Sequence, residues 1–600
     1  MNDATNHASA AHRDGTPSEA RQPSRPPIRP DMTVRQVAAD YPACREVLLR
    51  HGESEDRPTK FGHLEPLDHF ARRHGIDLDQ LLTELSQAAG TGVDRDTARA
   101  QLVHRPFITS ALAITLSLGA GWGALLLFEI GWHGGFEAAP AGHVVAHGAA
   151  QLWGFIGLFV VGIALRYLPM GSGGTRPGLA FSRLLLAAFL AGVIGGFVWA
   201  LAPAEVGWLG PLSGAALVLA TVLFLGFLLR QLGRNLHAAW GRLISAAGVW
   251  MVLWACVTLV LRSRASAEGP GTYSEPMRQL LMELAIFGFA LNAIYGFGQR
   301  LLSGIVGSGT PRRGAIEATF CLQNLGVVLL ALAHTGWMPF ATLLGVAALA
   351  AAAFSYAFGM RGFLRVRRST ARPEVGQALL RHYVQLAFFW LMAGTAMLLA
   401  AELSWGARGL SPPHAYLGAV RHALTVGFMT TLILGVGQRL LPILGHTLLP
   451  WQRLVLPTFL LIAVGNLLRV LTELATPLST TAFFLMPFSA VFELSALALF
   501  AANAQRTLWP APDPLLRTGR VTPMTSVAVL LGEFPWLEDH LFAWGLAYVG
   551  RVRSVPRELT LGTLAASARK QPEDIVARVN ELLAQHPPEM EKASRNQQIK

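Results

Sequence analysis

Cysteine is scarce in this sequence. Its 600 residues include only Cys44, Cys256 and Cys321. Because these three residues are isolated, the sequence has no disulfide framework, no CxxC motif and no thiolate metal site. It also lacks the attachment motif of a c-type haem and any iron–sulfur cluster motif. If the protein carries out redox chemistry, its electrons must therefore come from a quinone or from an electron-transfer protein.

Charged residues are scarce as well. Only 14% of the residues are charged and 52% are hydrophobic, whereas roughly a quarter of the residues of a soluble protein are charged. Low charge combined with long apolar runs predicts an all-α, polytopic membrane protein in a lipid bilayer. The net charge of +12 does not indicate a nucleic-acid partner, because most arginines lie in short loops beside apolar segments. That distribution is the topology signal of a membrane protein.

The first 30 residues contain no apolar run. They are rich in Pro, Ser, Ala and Arg, which predicts a disordered tail over 1–30 and no cleaved signal peptide. The stretches 31–92 and 521–586 predict two small helical cytoplasmic modules, one at each end of the chain. Their predicted helices are 33–41, 42–51, 67–74 and 78–88 in the first module, and 525–531, 536–544, 560–568 and 572–583 in the second.

Between the modules lie twelve apolar segments, each long enough to cross a bilayer. They define a membrane domain over 105–505 and span 107–130, 143–168, 179–202, 208–229, 240–262, 278–302, 315–334, 338–359, 382–402, 415–441, 453–473 and 481–503. The loops after segments 2, 4, 6, 8 and 10 carry arginine, whereas those after segments 1, 3, 7 and 11 carry neither Lys nor Arg. Because positive loops stay in the cytoplasm, both termini are predicted to be cytoplasmic.

A sequence motif occurs three times, at 154–169, 288–303 and 427–442. All three stretches fit Gly-Phe-x6-Gly-x3-Arg-x-Leu-Pro/Ser without a gap, at offsets of 134 (288 minus 154) and 139 (427 minus 288). They fall in segments 2, 6 and 10, so the pattern predicts three repeats of four helices. The motif arginines, Arg166, Arg300 and Arg439, are interpreted as anchors of the inner helix ends.

Polar side chains inside the apolar segments are few, and such residues usually face a bundle interior or a cavity. Segment 2 has His143 and His147, segment 6 has Glu283, segment 7 has Gln323, Asn324 and His334, segment 9 begins with His382, segment 10 has His414, Arg421 and His422, and segments 11 and 12 have Asn466, Arg469 and Glu493.

His147 and His422 are the strongest ligand candidates. His147 precedes its motif glycine by seven residues and His422 by five, so both should lie at a similar depth. Two histidines from two helices at matching depth suit the axial positions of a haem, and imidazole also suits copper. Hydrogen-bonded packing is the alternative. It is an equal or better interpretation for His143, His334 and His414, which lie toward the membrane interface.

Segment 10 resembles the NnrS family. The matching residues are RHALTVGFMTTLILG at 421–435, followed by LGHT at 444–447. The resemblance covers about 105–505. In segment 2, His147 fits the first histidine of the family's His-x-His-Glu pattern, whereas Ala149 and Ala150 stand at the positions of the second His and the Glu.

The resemblance implies a haem-containing and copper-containing protein of the bacterial inner membrane, linked to nitric oxide metabolism, denitrification or nitrosative stress. The implied haem is b-type. The implied cofactor-binding residues are His147 and His422, with His143 and His414 as further candidates. His334 joins His147 and His422 as a candidate metal ligand, and Glu283 would be a catalytic carboxylate in a proton relay or a metal site.

A broader similarity is to subunit I of the haem–copper oxidases and nitric oxide reductases, which also have twelve helices in three groups of four. It implies an oxidoreductase as one option. Glu283 stands where a copper histidine would be expected, so an oxygen-reducing binuclear centre is not expected. The terminal modules resemble small helical domains found beside proteins of nitrosative stress. Two other functions stay open: a membrane transporter for a metal, haem or small ligand, and a non-catalytic sensory subunit.

Overall fold

The computed structural model describes residues 28, 32, 34–51, 67, 70–71, 76, 78–91, 102–172, 177–306, 311–360, 375–445, 449–509, 520–534, 536–546 and 559–585. These ranges contain helices and no strand, with an isolated β-bridge between Ser526 and Thr560. Nearly all of the predicted tail, most of the predicted helix 67–74, and 446–447 of the NnrS-like stretch lie outside the described residues. The chain divides into two compact units, one of Met1–Ala98 with Val521–Lys600 and one of Arg99–Arg520.

In its N-terminal part, the described residues of the first unit include the helices α1 (Val34–Asp40), α2 (Cys44–Arg50) and α3 (Leu78–Ala89). Their apolar faces meet in a small core that includes Val37, Leu48 and Leu85, all fully buried. Two polar contacts join α2 to α3. Cys44 Sγ donates to the Leu85 carbonyl at 3.2 Å, and His51 Nε2 lies 2.7 Å from Glu84 Oε2.

The second unit contains twelve helices that are long and apolar enough to cross a membrane, among the described residues. They are α4 (His104–His133), α5 (Ala141–Pro169), α6 (Leu179–Leu201), α7 (Leu209–Leu232), α8 (Ala239–Arg264), α9 (Glu275–Leu302), α10 (Arg313–His334), α11 (Pro339–Met360), α12 (Leu379–Arg408), α13 (His414–Pro442), α14 (Gln452–Ala475) and α15 (Thr481–Leu508). The predicted helical architecture, with twelve helices long and apolar enough to cross a membrane, is thus confirmed for the described residues.

The outer surface of this bundle is apolar. Large side chains such as Leu125, Leu212, Phe358 and Leu460 are exposed on it. An apolar exterior of this extent on helices long enough to cross a membrane is unfavourable in water. It indicates a lipid bilayer environment for this unit.

The described residues of 521–585, in the first unit, contain α16 (Val527–Glu533), α17 (Leu537–Ala543), α18 (Leu561–Ser567) and α19 (Pro572–Gln585). Thr560 caps α18, since its side-chain oxygen accepts a hydrogen bond from the Thr563 backbone N–H at 3.2 Å. Helices therefore occupy both terminal segments. That each segment is an independent module stays a prediction.

The three motif helices, α5, α9 and α13, share a wider π-helical turn at one position. The π segments are Ala150–Gly157, Leu284–Leu291 and Ala423–Thr430. Each begins four residues before the motif glycine, at 150 against 154, 284 against 288, and 423 against 427. Segments of this kind are rare and are often found at functional sites. A shorter one occurs in α4, at Thr115–Gly119.

Side chains bond to the backbone carbonyls of two of these π segments. In α9 the Phe287 carbonyl accepts from Asn292 Nδ2 at 3.3 Å and from Gln323 Nε2 of α10 at 2.7 Å. In α13 the Val426 carbonyl accepts from Thr431 Oγ1 at 3.1 Å. A buried carbonyl without a partner is costly, so these side chains support the π geometry. Gln323, a polar candidate from the sequence, has this structural role.

The motif glycines lie against the helix that precedes each motif helix. At the first glycine of each motif, an added Cβ would approach one neighbour within about 3 Å: Gly154 faces Ile114 of α4, Gly288 faces Trp250 of α8, and Gly427 faces Trp390 of α12. The second glycines, Gly162, Gly296 and Gly435, face the same three helices. Glycine at both positions lets two helix backbones approach closely, which is a physical reason for the motif.

Arg166, the motif arginine of α5, is 5% exposed, and its Nε donates at 3.2 Å to the carbonyl of Leu444, two residues after α13. This bond joins the ends of two motif helices, as expected of an anchor. Arg300 instead lies over the Trp240 ring at 4.9 Å.

Candidate functional site

His422 of α13 is part of a buried charge network with α14. Its Nδ1 lies 3.0 Å from the Gly418 carbonyl and 3.2 Å from Glu473 Oε2. Its Nε2 accepts a hydrogen bond from Arg469 Nε at 3.3 Å, which assigns the ring proton to Nδ1. Arg469 Nη2 donates to Glu473 Oε1 at 3.1 Å.

The ion pair of this network is almost sealed from solvent, since Arg469 is 5% exposed and Glu473 is 3% exposed. The His422 side chain is 24% exposed. They are four residues apart on α14, so they lie on one face of the helix. A buried guanidinium and carboxylate are tolerated inside an apolar bundle because each neutralises the other. Arg421 and Glu493 lie close enough to interact electrostatically with Glu473.

His147 of α5 lies near this network and bonds to a different helix. Its Nδ1 is 2.9 Å from the carbonyl of Gly119, which ends the π segment of α4. The backbone of Gly119 departs from helical geometry there, with φ −87° and ψ −109°. Within the described part of the chain, His147 Nε2 has no hydrogen-bond partner. His147 interacts electrostatically with His422 and Arg469, so α5 and α13 bring the two predicted ligands into one region.

Gly123 of α4 makes room for the His147 ring. A Cβ at that position would overlap the ring at Cε1 and Nδ1. Helix α4 therefore positions the imidazole in two ways. The Gly119 carbonyl bonds to Nδ1, and Gly123, which has no side chain, leaves space for the ring. This fixes the tautomer with the proton on Nδ1 and leaves the Nε2 lone pair available, which is the usual arrangement of a metal-ligating histidine.

A second acid–imidazole pair joins α9 to α10. Glu283 Oε1 lies 3.5 Å from His334 Nε2. The same Nε2 lies 2.8 Å from Gln279 Oε1, and His334 Nδ1 lies 3.2 Å from the Leu330 carbonyl. Glu283 Oε2 is buried without a hydrogen-bond partner among the described residues, and Glu402 of α12 is within electrostatic range of Glu283.

The two pairs occupy matching positions. His422 lies 139 residues after Glu283 (422 minus 283), and Glu473 lies 139 residues after His334 (473 minus 334), which is also the motif offset. Acid and imidazole are exchanged, since the acid is on the motif helix in one pair and on the following helix in the other. The corresponding positions 134 residues before Glu283 and His334 are Ala149 and Ala200.

The other histidine candidates pack against aromatic rings. The His143 ring lies 5.6 Å from that of Trp122, and the His414 ring contacts Phe136 edge-on at 5.3 Å. His414 is also within electrostatic range of Arg421 and Glu473, whereas His143 has only the aromatic contact among the interactions described. These positions agree with the packing alternative.

The sequence candidates did not include Glu473, although the structure makes it the centre of the network. It is the last residue of the predicted segment 453–473, where a carboxylate suggests a helix end in water. The 51-residue spacing of Glu283 and His334, repeated between His422 and Glu473, is the signal that identifies it.

The two predicted ligand histidines, His147 and His422, differ in how well they fit a haem or metal ion. His147 fits, because Nδ1 is held and Nε2 is available. His422 does not fit as an axial ligand in this arrangement, because the Arg469 guanidinium bonds to Nε2 and would repel a cation there. Across the described ranges there is no group of three or more His, Cys, Asp or Glu side chains that could hold a metal ion.

The fold and site define a class: a multi-pass helical membrane protein with a histidine-containing charge network inside its bundle. Comparison with protein-family models found no matching family. Comparison with curated proteins found no match either.

Proposed function

We propose that this is a haem-binding bacterial inner-membrane protein of NnrS type that acts in nitric oxide metabolism or in the response to nitrosative stress. The observation that carries the proposal is the state of His147, whose Nδ1 bonds to a backbone carbonyl while Nε2 stays available beside Gly123. The His147 side chain is only half-buried, so an axial ligand bond to Nε2 is sterically open.

In this proposal His147 holds a b-type haem, whose iron would supply a binding site for nitric oxide. His422, Arg469 and Glu473 form the polar side of the same region. Arg469 keeps His422 Nε2 hydrogen-bonded, so the network can orient a proton or stabilise negative charge. The proposal also includes copper at His334 and an electron supply from a quinone or from another protein.

The architecture proposed with this function is three repeats of four helices, α4–α7, α8–α11 and α12–α15. Matching π segments and matching glycine contacts support it. The loop arginines support cytoplasmic termini, which would place the terminal helices in the cytoplasm as interaction or sensing modules.

Two neighbouring histidines of α5 provide the test. Purified full-length protein should show a Soret band, and His147→Ala should abolish it. His143→Ala is the matched control, because it removes a half-buried histidine one turn away and should retain the band. Under this proposal His422→Ala shifts the band without abolishing it. Loss of haem in His422→Ala would instead make both histidines ligands, and an unchanged band in His147→Ala would exclude the assigned ligand.

A second candidate function is transport of a metal or small ligand coupled to protons. It is favoured by the matching acid–imidazole pairs of α9/α10 and α13/α14, since ionisable groups buried in a bundle mark ion and proton paths. Proteoliposomes with an internal pH dye discriminate the two functions. Substrate-driven proton movement that Glu283→Gln abolishes, in a preparation without haem, would favour the transporter.

A further inference from the structure

The motif helices line a partly open cavity below their π segments. It has a volume of about 90 Å³, and the described residues that line it belong to α5, α9 and α13. The lining residues five positions after each motif glycine are Phe159, Ala293 and Leu432, and those six positions after it are Val160, Ile294 and Ile433. Matching positions from all three helices therefore face one axis.

The lining has no polar side chain, because every contributing residue is Phe, Val, Ile, Ala, Leu or Gly. A water molecule needs two to four polar partners, so an apolar cavity of this kind stays dry. A small apolar solute loses nothing by entering it and gains dispersion contacts with the walls. The cavity thus selects against water, ions and polar metabolites.

The volume of the cavity indicates the size of the molecule that it can bind. A cavity of about 150 Å³ accepts benzene or xenon, and this one is smaller, at about 90 Å³. A diatomic gas or a xenon atom fits in this volume. The cavity begins about ten residues along each helix from Glu283 and His422, or roughly 15 Å at 1.5 Å per residue.

We infer that this cavity is a binding site for a small uncharged apolar molecule of the size of a diatomic gas. The site holds such a molecule on the axis of the three motif helices, between the polar network and the ends of the helices that carry the motif arginines. The inference goes beyond the proposed haem function and does not depend on it, because binding here uses apolar contacts alone.

Xenon tests the inference, since it binds without hydrogen bonds and scatters anomalously. Crystals of the full-length protein under xenon pressure should show an anomalous peak among Phe159, Ala293 and Leu432. Ala293→Leu fills the cavity and should remove the peak. Ala351→Leu, the same change at an exposed position of α11, should retain it.

Leu432→Ala supplies an independent arm, because it enlarges the cavity and should strengthen the peak even if Ala293→Leu fails to fold. Absence of xenon from the axis in the wild-type protein would overturn the inference. So would an elongated acyl-chain density in the cavity, which would make it a lipid site. A haem-free preparation that binds xenon keeps this inference and contradicts the proposed function, so the two failures are distinguishable.

Discussion

Removing Glu473 should destabilise the membrane unit strongly. Its carboxylate lies 3.1 Å from Arg469 Nη2 and 3.2 Å from His422 Nδ1, and it is 3% exposed. Glu473→Ala leaves the Arg469 guanidinium buried without its counter-charge. Breaking one partner of a buried ion pair costs about 3–5 kcal/mol. Glu205→Ala, at an exposed loop position, is the control and should change stability by no more than about 0.5 kcal/mol.

The pair Glu283–His334, in which acid and imidazole are exchanged between the two helices, suggests a variant that recovers part of the lost stability. In the double variant His422→Glu with Glu473→His, the acid is on the motif helix, as Glu283 is. Each single substitution should be destabilising. Arg469 can bond to a carboxylate at 422, because its Nε already reaches the side chain at that position. The double variant should therefore recover about 1–3 kcal/mol relative to the sum of the single changes.

Reversible unfolding in mixed micelles, followed by helical circular dichroism, measures both effects. The free energies of the wild type, the two single variants and the double variant form a thermodynamic cycle. A Glu473→Ala variant as stable as the Glu205→Ala control would refute the buried network. A double variant whose loss equals the sum of the single losses would refute the equivalence of the two acid–imidazole pairs.

Three further outcomes follow from single contacts. Gly427→Leu should prevent close packing on α12 and yield little monodisperse protein by size-exclusion chromatography, whereas Gly226→Leu, where nothing lies within 4 Å, should behave as wild type. Gln323→Leu should lower the unfolding free energy by about 1–3 kcal/mol by leaving the Phe287 carbonyl one donor short, and an unchanged value would contradict its role at the π segment. The hydrogen bond from His51 holds the pKa of Glu84 below its ordinary value of 4.5. The ionised Glu84 carboxylate therefore contributes fully to the free energy of unfolding above pH 4.5, and this contribution is lost as pH falls through the pKa of the folded state. Hydrogen exchange of residues 78–91, measured as a function of pH, should show a loss of protection at acid pH in the wild type and no such loss in Glu84→Gln. The same pH dependence in both proteins would contradict the contribution of Glu84 to stability.

The sequence predicts the twelve spans because apolar length is a property of the chain alone. The predicted segment 382–402 is nevertheless shorter than the observed span Leu379–Arg408, since the helix begins before Leu379 and a 3₁₀ turn at Gly406–Arg408 extends its end. The π segments were not predicted. Their wider turn depends on hydrogen-bonding side chains from elsewhere in the fold, such as Gln323 on α10, so the local sequence does not predict it.

The site could be predicted only in part. Position along an apolar segment identified His147 and His422, but it does not say which group each imidazole meets. The Gly119 carbonyl and Arg469 come from other helices, and both contacts depend on helix rotation within the bundle. Glu473 shows the same limit, because a carboxylate at a predicted helix end has no sequence signal of burial apart from its match to His334.

The reduced-minus-oxidised absorption spectrum of the purified full-length protein, measured with its iron content, tests the central claim most directly. Haem held at His147 predicts a Soret band, b-type α and β bands in the reduced state, and stoichiometric iron. A monodisperse, fully helical preparation that is colourless and free of iron would contradict the proposal.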